Sequence, residues 1–188
     1  MIRLLTRLAG IVIAAALLFA MQRTTPGYSE ITGPIPVSGA MGQSIAARGF
    51  SFRADKLILA DRIRWRAYGR DIERDSSGLW AVVVAEMEGR PASVTVNGAL
   101  WHSASGRRYT PSQRLATAPR QLGANRLEPG LPQRGLLIFE IPREEADDAT
   151  LLVSLIRWPR LDSEIRMPLA RDRTESTDVL DLDGLFDG

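Results

Sequence analysis

The stretch Leu79-Trp80-Ala81-Val82-Val83-Val84-Ala85 is apolar at every position. A strand with one wet face alternates polar and apolar residues, so a short unbroken run bounded by turn residues describes a strand covered on both faces. Just upstream, Arg62-Ile63-Arg64-Trp65-Arg66 does alternate, with Ile63 and Trp65 on one face and three arginines on the other. Phe50 and Phe52 alternate with Ser51 and Arg53 in the same way. Val94, Val96 and Leu100, residues 136–141 (LLIFEI), residues 151–156 (LLVSLI) and Ile165/Met167/Leu169 continue the series. Turn residues separate these runs at Asp75-Ser76-Ser77-Gly78, Gly89-Arg90-Pro91, Ser103-Ala104-Ser105-Gly106 and Glu128-Pro129-Gly130. Helical periodicity is almost absent after residue 42. Seven or eight short strands within residues 43–170 predict an all-β domain, an immunoglobulin-like antiparallel β-sandwich, with a barrel as the alternative. Residues 110–125 are polar and irregular and read as a crossover between sheets, with room for a short helix.

Several of these segments follow one another in a familiar order. Gly78-Leu79-Trp80-Ala81-Val82-Val83-Val84 precedes Gly106-Arg107-Arg108-Tyr109, then Leu127-Glu128-Pro129-Gly130, then Leu137-Ile138-Phe139-Glu140-Ile141-Pro142. Over about residues 45–170 the chain resembles the DUF4352-type immunoglobulin-like domains of bacterial exported proteins. Those domains carry a hydrophobic strand after a glycine, a G-x-x-Y hairpin, a proline-glycine turn and a strand ending in proline. The resemblance implies a fold and an extracytoplasmic setting, and it brings no shared catalytic site. The polar residue that closes the central strand in that family is replaced here by Glu86 or Glu88.

The two ends of the chain differ in character from its middle. Arg3 and Arg7 precede the apolar run 8–21 (LAGIVIAAALLFAM), which Gln22 and Arg23 close. This is the grammar of an export signal. The cleavage motif is poor, because Leu18 occupies the third position before a cut after Ala20. With Leu4 and Leu5 counted and Arg7 snorkelling, the segment reaches roughly 18 residues, the lower limit for a bilayer span. Residues 1–23 are therefore expected to stay as a signal anchor, one transmembrane helix, rather than to leave as a cleaved signal peptide. The flanking arginines would hold its start in the cytoplasm and place the rest outside. Residues 24–42 are rich in proline and glycine and read as a linker. Residues 1–28 and 29–170 each carry a net charge of +3, while residues 171–188 carry −4. There are 23 arginines and a single lysine, Lys56, and cysteine is absent. The overall surplus of +2 is too small and too dispersed for a nucleic-acid footprint.

Residues that could carry chemistry are few. His102 is the only histidine, and it lies at a strand end beside Trp101. Gly42-Gln43-Ser44-Ile45-Ala46 lacks the last glycine of a nucleophile elbow and precedes a strand. Lys56 has Arg53, not serine, three positions before it. No phosphate-binding loop is present, and a zinc site would need cysteines or several histidines. Glu144, Glu145, Asp147 and Asp148 crowd one loop in a way that calcium favours, yet no turn glycine lies among them. No enzyme, cofactor or metal is expected.

Two features suit partner binding instead. Arg62, Arg64 and Arg66, followed by Arg70 and Arg74, form a basic row facing Asp61, Asp71, Glu73 and Asp75. In the tail 171–188, Val179, Leu180, Leu182, Leu185 and Phe186 sit among aspartates, an acidic-hydrophobic alternation typical of a disordered segment that folds onto a partner. The alternative is a further strand docked on its own domain. The sequence thus points to a membrane-anchored, extracytoplasmic, non-catalytic interaction or accessory subunit of a bacterial envelope complex. Its protein partner would be reached through the tail or an exposed sheet edge. The alternative function is a small-ligand or lipid-binding sandwich with a cleft.

Overall fold

A computed structural model describes residues 2–24, 31–123 and 125–186, with side chains from Thr6 onward within the first segment. Two compact units emerge, residues 1–33 and 34–188. The first contains α1 (Ile2–Thr24), a helix of 23 residues. At 1.5 Å per residue that is about 35 Å, enough to cross a hydrocarbon core of roughly 30 Å. Its Thr6–Thr24 segment is long and apolar enough for a span, and a signal sequence would pass the same test.

The second unit holds the strands β1 (Ile35–Ser38), β2 (Ile45–Ala46), β3 (Phe50–Ala67), β4 (Arg70–Gly89), β5 (Val94–Thr95), β6 (Gly98–His102), β7 (Arg108–Tyr109), β8 (Arg126–Leu127), β9 (Gln133–Ile141), β10 (Thr150–Ser154), β11 (Ser163–Pro168) and β12 (Thr174–Asp181). One sheet has the order β1-β11-β10-β6-β7, and the other β12-β3-β4-β9 with β2 added to β3. β5 and β8 form a separate short ladder. The expected all-β sandwich is present, as two stacked sheets rather than a closed barrel.

Three expectations are corrected. Pairing is mixed, because β1 runs parallel to β11 and β12 runs parallel to β3. The domain begins inside the expected linker, since Ile35–Ser38 pairs with Ser163 to Arg166. Pro36 hid this strand from a composition-based reading, yet proline is tolerated where a strand lies at a sheet edge. Residues 25–30 of that linker lie outside the described residues. Third, the tail supplies β12.

The 79–85 run shows why the tail belongs to the domain. Ala81, Val83 and Ala85 point into the core between the sheets, with Phe50, Phe52, Trp101, Phe139, Leu151 and Ile165. Trp80, Val82 and Val84 point the other way, into a second core with Ile58, Ile63, Trp65, Leu136 and Ile138. Leu115 from the crossover and Leu180 and Leu182 from the tail complete this second layer. β4 is apolar on both faces because both faces are covered. Register shifts after Ala54 and Ala60 turn β3 so that Phe50, Phe52 and Leu57 serve the first core while Ile58, Ile63 and Trp65 serve the second. The β3–β4 hairpin closes through Tyr68 and Gly69, with φ of 52° and 72°. Positive φ at both central residues suits the right-handed twist of the flanking strands.

Candidate functional site

The arginine row and the tail are neighbours in space. In the parallel register of β12 on β3, Val179 lies beside Arg62, Leu180 beside Ile63 and Asp181 beside Arg64. The Arg64 guanidinium donates to Asp181 at 3.1 Å, and Arg62 donates to Glu73 at 3.0 Å. The Arg66 backbone N–H donates to the Asp183 carboxylate at 2.7 Å, and the Leu182 N–H donates to the Arg64 carbonyl at 2.9 Å. Leu182 is fully buried and Leu180 nearly so. Leu185 and Phe186 pack on the second core, and Arg120 stacks over the Phe186 ring at 4.6 Å. Asp187, the last acid of the tail, lies outside the described residues.

The two feature sets picked out as partner-binding thus bind each other, which corrects the reading of the tail as a disordered segment. The missed signal was periodicity. Leu180-Asp181-Leu182-Asp183 alternates with period two, which puts leucines on the core face and aspartates toward the arginines. A groove of about 480 Å³ remains at this end of the hairpin, lined by Arg64, Arg66, Ile72 and Asp183 among others. The Trp65 indole N–H, buried next to this groove, lacks a hydrogen-bond partner among the described residues.

The acidic loop 143–148 is divided between two tasks. Glu145 is 4 % exposed and turned inward. The Ser105 hydroxyl donates to its carboxylate at 2.7 Å and Arg107 does so at 3.1 Å, while the Trp101 indole donates to its backbone carbonyl at 3.0 Å. The hydroxyls of Ser103 and Ser105, with Arg107, hold the Glu145 carboxyl below its ordinary range. The loop is thereby clipped to the β6–β7 hairpin. Asp147 and Asp148 instead lie within 3.6 and 3.5 Å of Arg171. Among the described residues no three acids or histidines converge on a point where a cation could sit. His102 is half-buried on β6, between Thr150 of β10 and Arg108 of β7.

Two further sites went unmarked in the sequence. A cleft of about 750 Å³ opens between the crossover and β5–β6, lined by Asn97, Ser112, Gln113, Arg120, Gln121 and Arg157 among others. Its walls mix polar and apolar surface, so it is no enclosed apolar cavity. The second site is the β10–β11 loop, 155–162, where Ile156, Trp158 and Leu161 are each more than half exposed. Leu-Ile-Arg-Trp-Pro-Arg-Leu is legible as amphipathic once β10 is ended at Ser154 rather than at Ile156.

The sheet edges differ in how well they are closed. β9 is covered along its outer side by the crossover, through Ser112 N–H to the Ile138 carbonyl and Leu122 N–H to the Leu136 carbonyl. β1 carries Pro36, and β7 has two residues. β12 has eight residues, and its outer edge pairs with no strand among the described residues.

The chain matches no protein-family model, and no curated protein matches it. It is similar to an uncharacterized β-sandwich protein from Clostridium difficile 630, with 9 % identity and a TM-score of 0.48 over 78 % of this chain and 100 % of that one. The sandwich assignment rests on the strand pairing within this chain.

Proposed function

We propose that this chain is a membrane-anchored, extracytoplasmic β-sandwich that acts as a non-catalytic interaction or accessory subunit of a bacterial envelope complex. The DUF4352-type resemblance belongs to the same reading. The observation that carries it is the free outer edge of β12. An eight-residue edge presents backbone donors and acceptors that a partner strand can complete. Glu175 and Asp178 are exposed on it, and such charges oppose pairing between two copies while favouring a basic partner strand.

Successive N–H groups of a strand point to opposite sides, so of Ser176→Pro and Thr177→Pro one removes a donor to β3 and the other a donor on the outer edge. The variant that keeps the wild-type melting temperature is the outer one. In native gels of solubilised membranes it should migrate as the free chain while wild type migrates in a larger complex. Unchanged migration of that variant would reject the edge as the partner surface.

A second reading, small-ligand binding, draws on the cleft beside Arg120 and Arg157. It is separated from the first by the same gel, because Arg157→Ala would spare the complex.

A further inference from the structure

The sandwich end at which the chain enters from α1 gathers an unusual set of side chains. Ile35 opens β1, and its N–H donates to the Asp162 carbonyl at 2.9 Å, so the start of β1 lies directly against the 155–162 loop. The Arg48 N–H donates to the Ser163 hydroxyl at 2.9 Å, the Arg90 N–H to the Gly49 carbonyl at 2.9 Å, and the Asn97 N–H to the Leu155 carbonyl at 2.9 Å. These bonds draw the β2–β3 turn, the start of the β4–β5 connection and the β10–β11 loop into one patch. Arg48, Arg90, Arg157 and Arg160 are all exposed there, and none has an ion-pair partner among the described residues. Arg70, Arg74, Arg108, Arg120 and Arg173 elsewhere on the sandwich likewise lack an ion pair among the described residues, whereas Arg62, Arg64, Arg66, Arg114, Arg143 and Arg166 each face a carboxylate. What marks the four is their grouping around exposed apolar side chains. Between the free arginines stand Ile156, Trp158 and Leu161, at 55 %, 62 % and 57 % exposure, with Ile35 at 48 %.

Three large apolar side chains in six residues of loop are a costly exposure in water. Leu161 is also held at φ 51°, a conformation disfavoured for a branched residue without a compensating role. Tryptophan with flanking arginines suits the boundary between headgroups and acyl chains, where the indole ring sits half in each and guanidinium groups meet phosphate. Only ten residues lie between Thr24 at the end of α1 and Ile35, and the eleven steps of chain reach at most about 36–40 Å even when fully extended.

We propose that this end of the sandwich seats on the bilayer that holds α1, with Trp158, Ile156 and Leu161 in the interface and Arg48, Arg90, Arg157 and Arg160 on anionic phospholipid headgroups. The inference rests on the reading of α1 as an anchor. It leaves the opposite tip of the β3–β4 hairpin and the edge of β12 free for partners.

The protein contains its own probe. Of its four tryptophans, Trp65, Trp80 and Trp101 are at most 2 % exposed, and Trp158 alone is open to solvent. The full chain would be reconstituted into vesicles of phosphatidylcholine alone or with phosphatidylglycerol, with and without brominated acyl chains. The emission lost in Trp158→Phe defines the Trp158 signal. In brominated anionic vesicles that signal should fall roughly twofold and be shielded from acrylamide, as for an indole at headgroup level. Arg157→Glu combined with Arg160→Glu should abolish the dependence on anionic lipid at an unchanged melting temperature. An unquenched Trp158 that acrylamide reaches freely would overturn the inference, and so would equal quenching in both lipids for its electrostatic part. Alkaline extraction of the same vesicles reads the anchor separately. Release of the chain rejects the anchor, whereas retention with Trp158 unquenched rejects the seating of the loop alone.

Discussion

Glu145 shows how one buried charge can be turned into a structural clip. A carboxylate removed from water is costly unless several donors face it, and here two serine hydroxyls and Arg107 do so. Because its carboxyl titrates below the ordinary value, the folded state binds that proton less readily than the unfolded chain. Its stabilisation is complete above the ordinary carboxylate range and is lost as pH falls through the folded value. Glu145→Gln keeps the shape and removes the charge. Its melting temperature should lie clearly below wild type at pH 7, and the gap should close on acidification below about pH 4. A gap that stays constant with pH would mean that packing, not ionisation, is what the side chain contributes. In the sequence Glu145 was one of four similar acids in a loop; which of them turned inward depends on Ser103, Ser105 and Arg107, some 40 positions earlier.

At the scale of elements, β12 is the part whose meaning changed most. Its leucines close the second core, and its aspartates neutralise β3 arginines. Truncation of residues 174–188 would strip Leu180 and Leu182 from the core layer that holds Trp80, Val82 and Val84, all at most 1 % exposed. The truncated protein should melt far below wild type or fail to fold. Leu182→Ala alone should cost about 2–5 kcal/mol, the range for a fully buried leucine whose site cannot collapse. A chemical-denaturation midpoint unchanged by Leu182→Ala would return the tail to the status of an appendage. The strands 50–52, 62–66, 79–85, 136–141 and, two residues too long, 151–156 were legible because burial writes itself into side-chain alternation or its absence. β1 and β12 were not, one for its proline and one for its aspartates. Both lie at sheet edges, where one flank of the backbone is open and composition is less constrained.

For the whole molecule the untested quantity is sidedness. The chain has no cysteine, so a single introduced thiol is a unique label. Tyr68 at the β3–β4 turn is 88 % exposed and packs on nothing that a cysteine would disturb. If the sandwich faces outward, Tyr68→Cys in spheroplasts should react with a membrane-impermeant maleimide without lysis. Labelling only after lysis would place the domain in the cytoplasm and remove the envelope reading.

By itself, the sequence determined the all-β class, a helix able to span a bilayer, and a central strand needing cover on two sides. These follow from local patterns, since burial on one face or both dictates which residues a strand can carry. Only the tertiary structure decided what supplies that cover. Pairing partners are chosen by shape and charge between segments far apart, as between β12 and β3 with 117 positions from Thr174 back to Leu57. No period within either segment encodes the other. The same holds for the loop end, where Arg48, Arg90 and Arg157 become one patch only because three turns meet beside the start of β1.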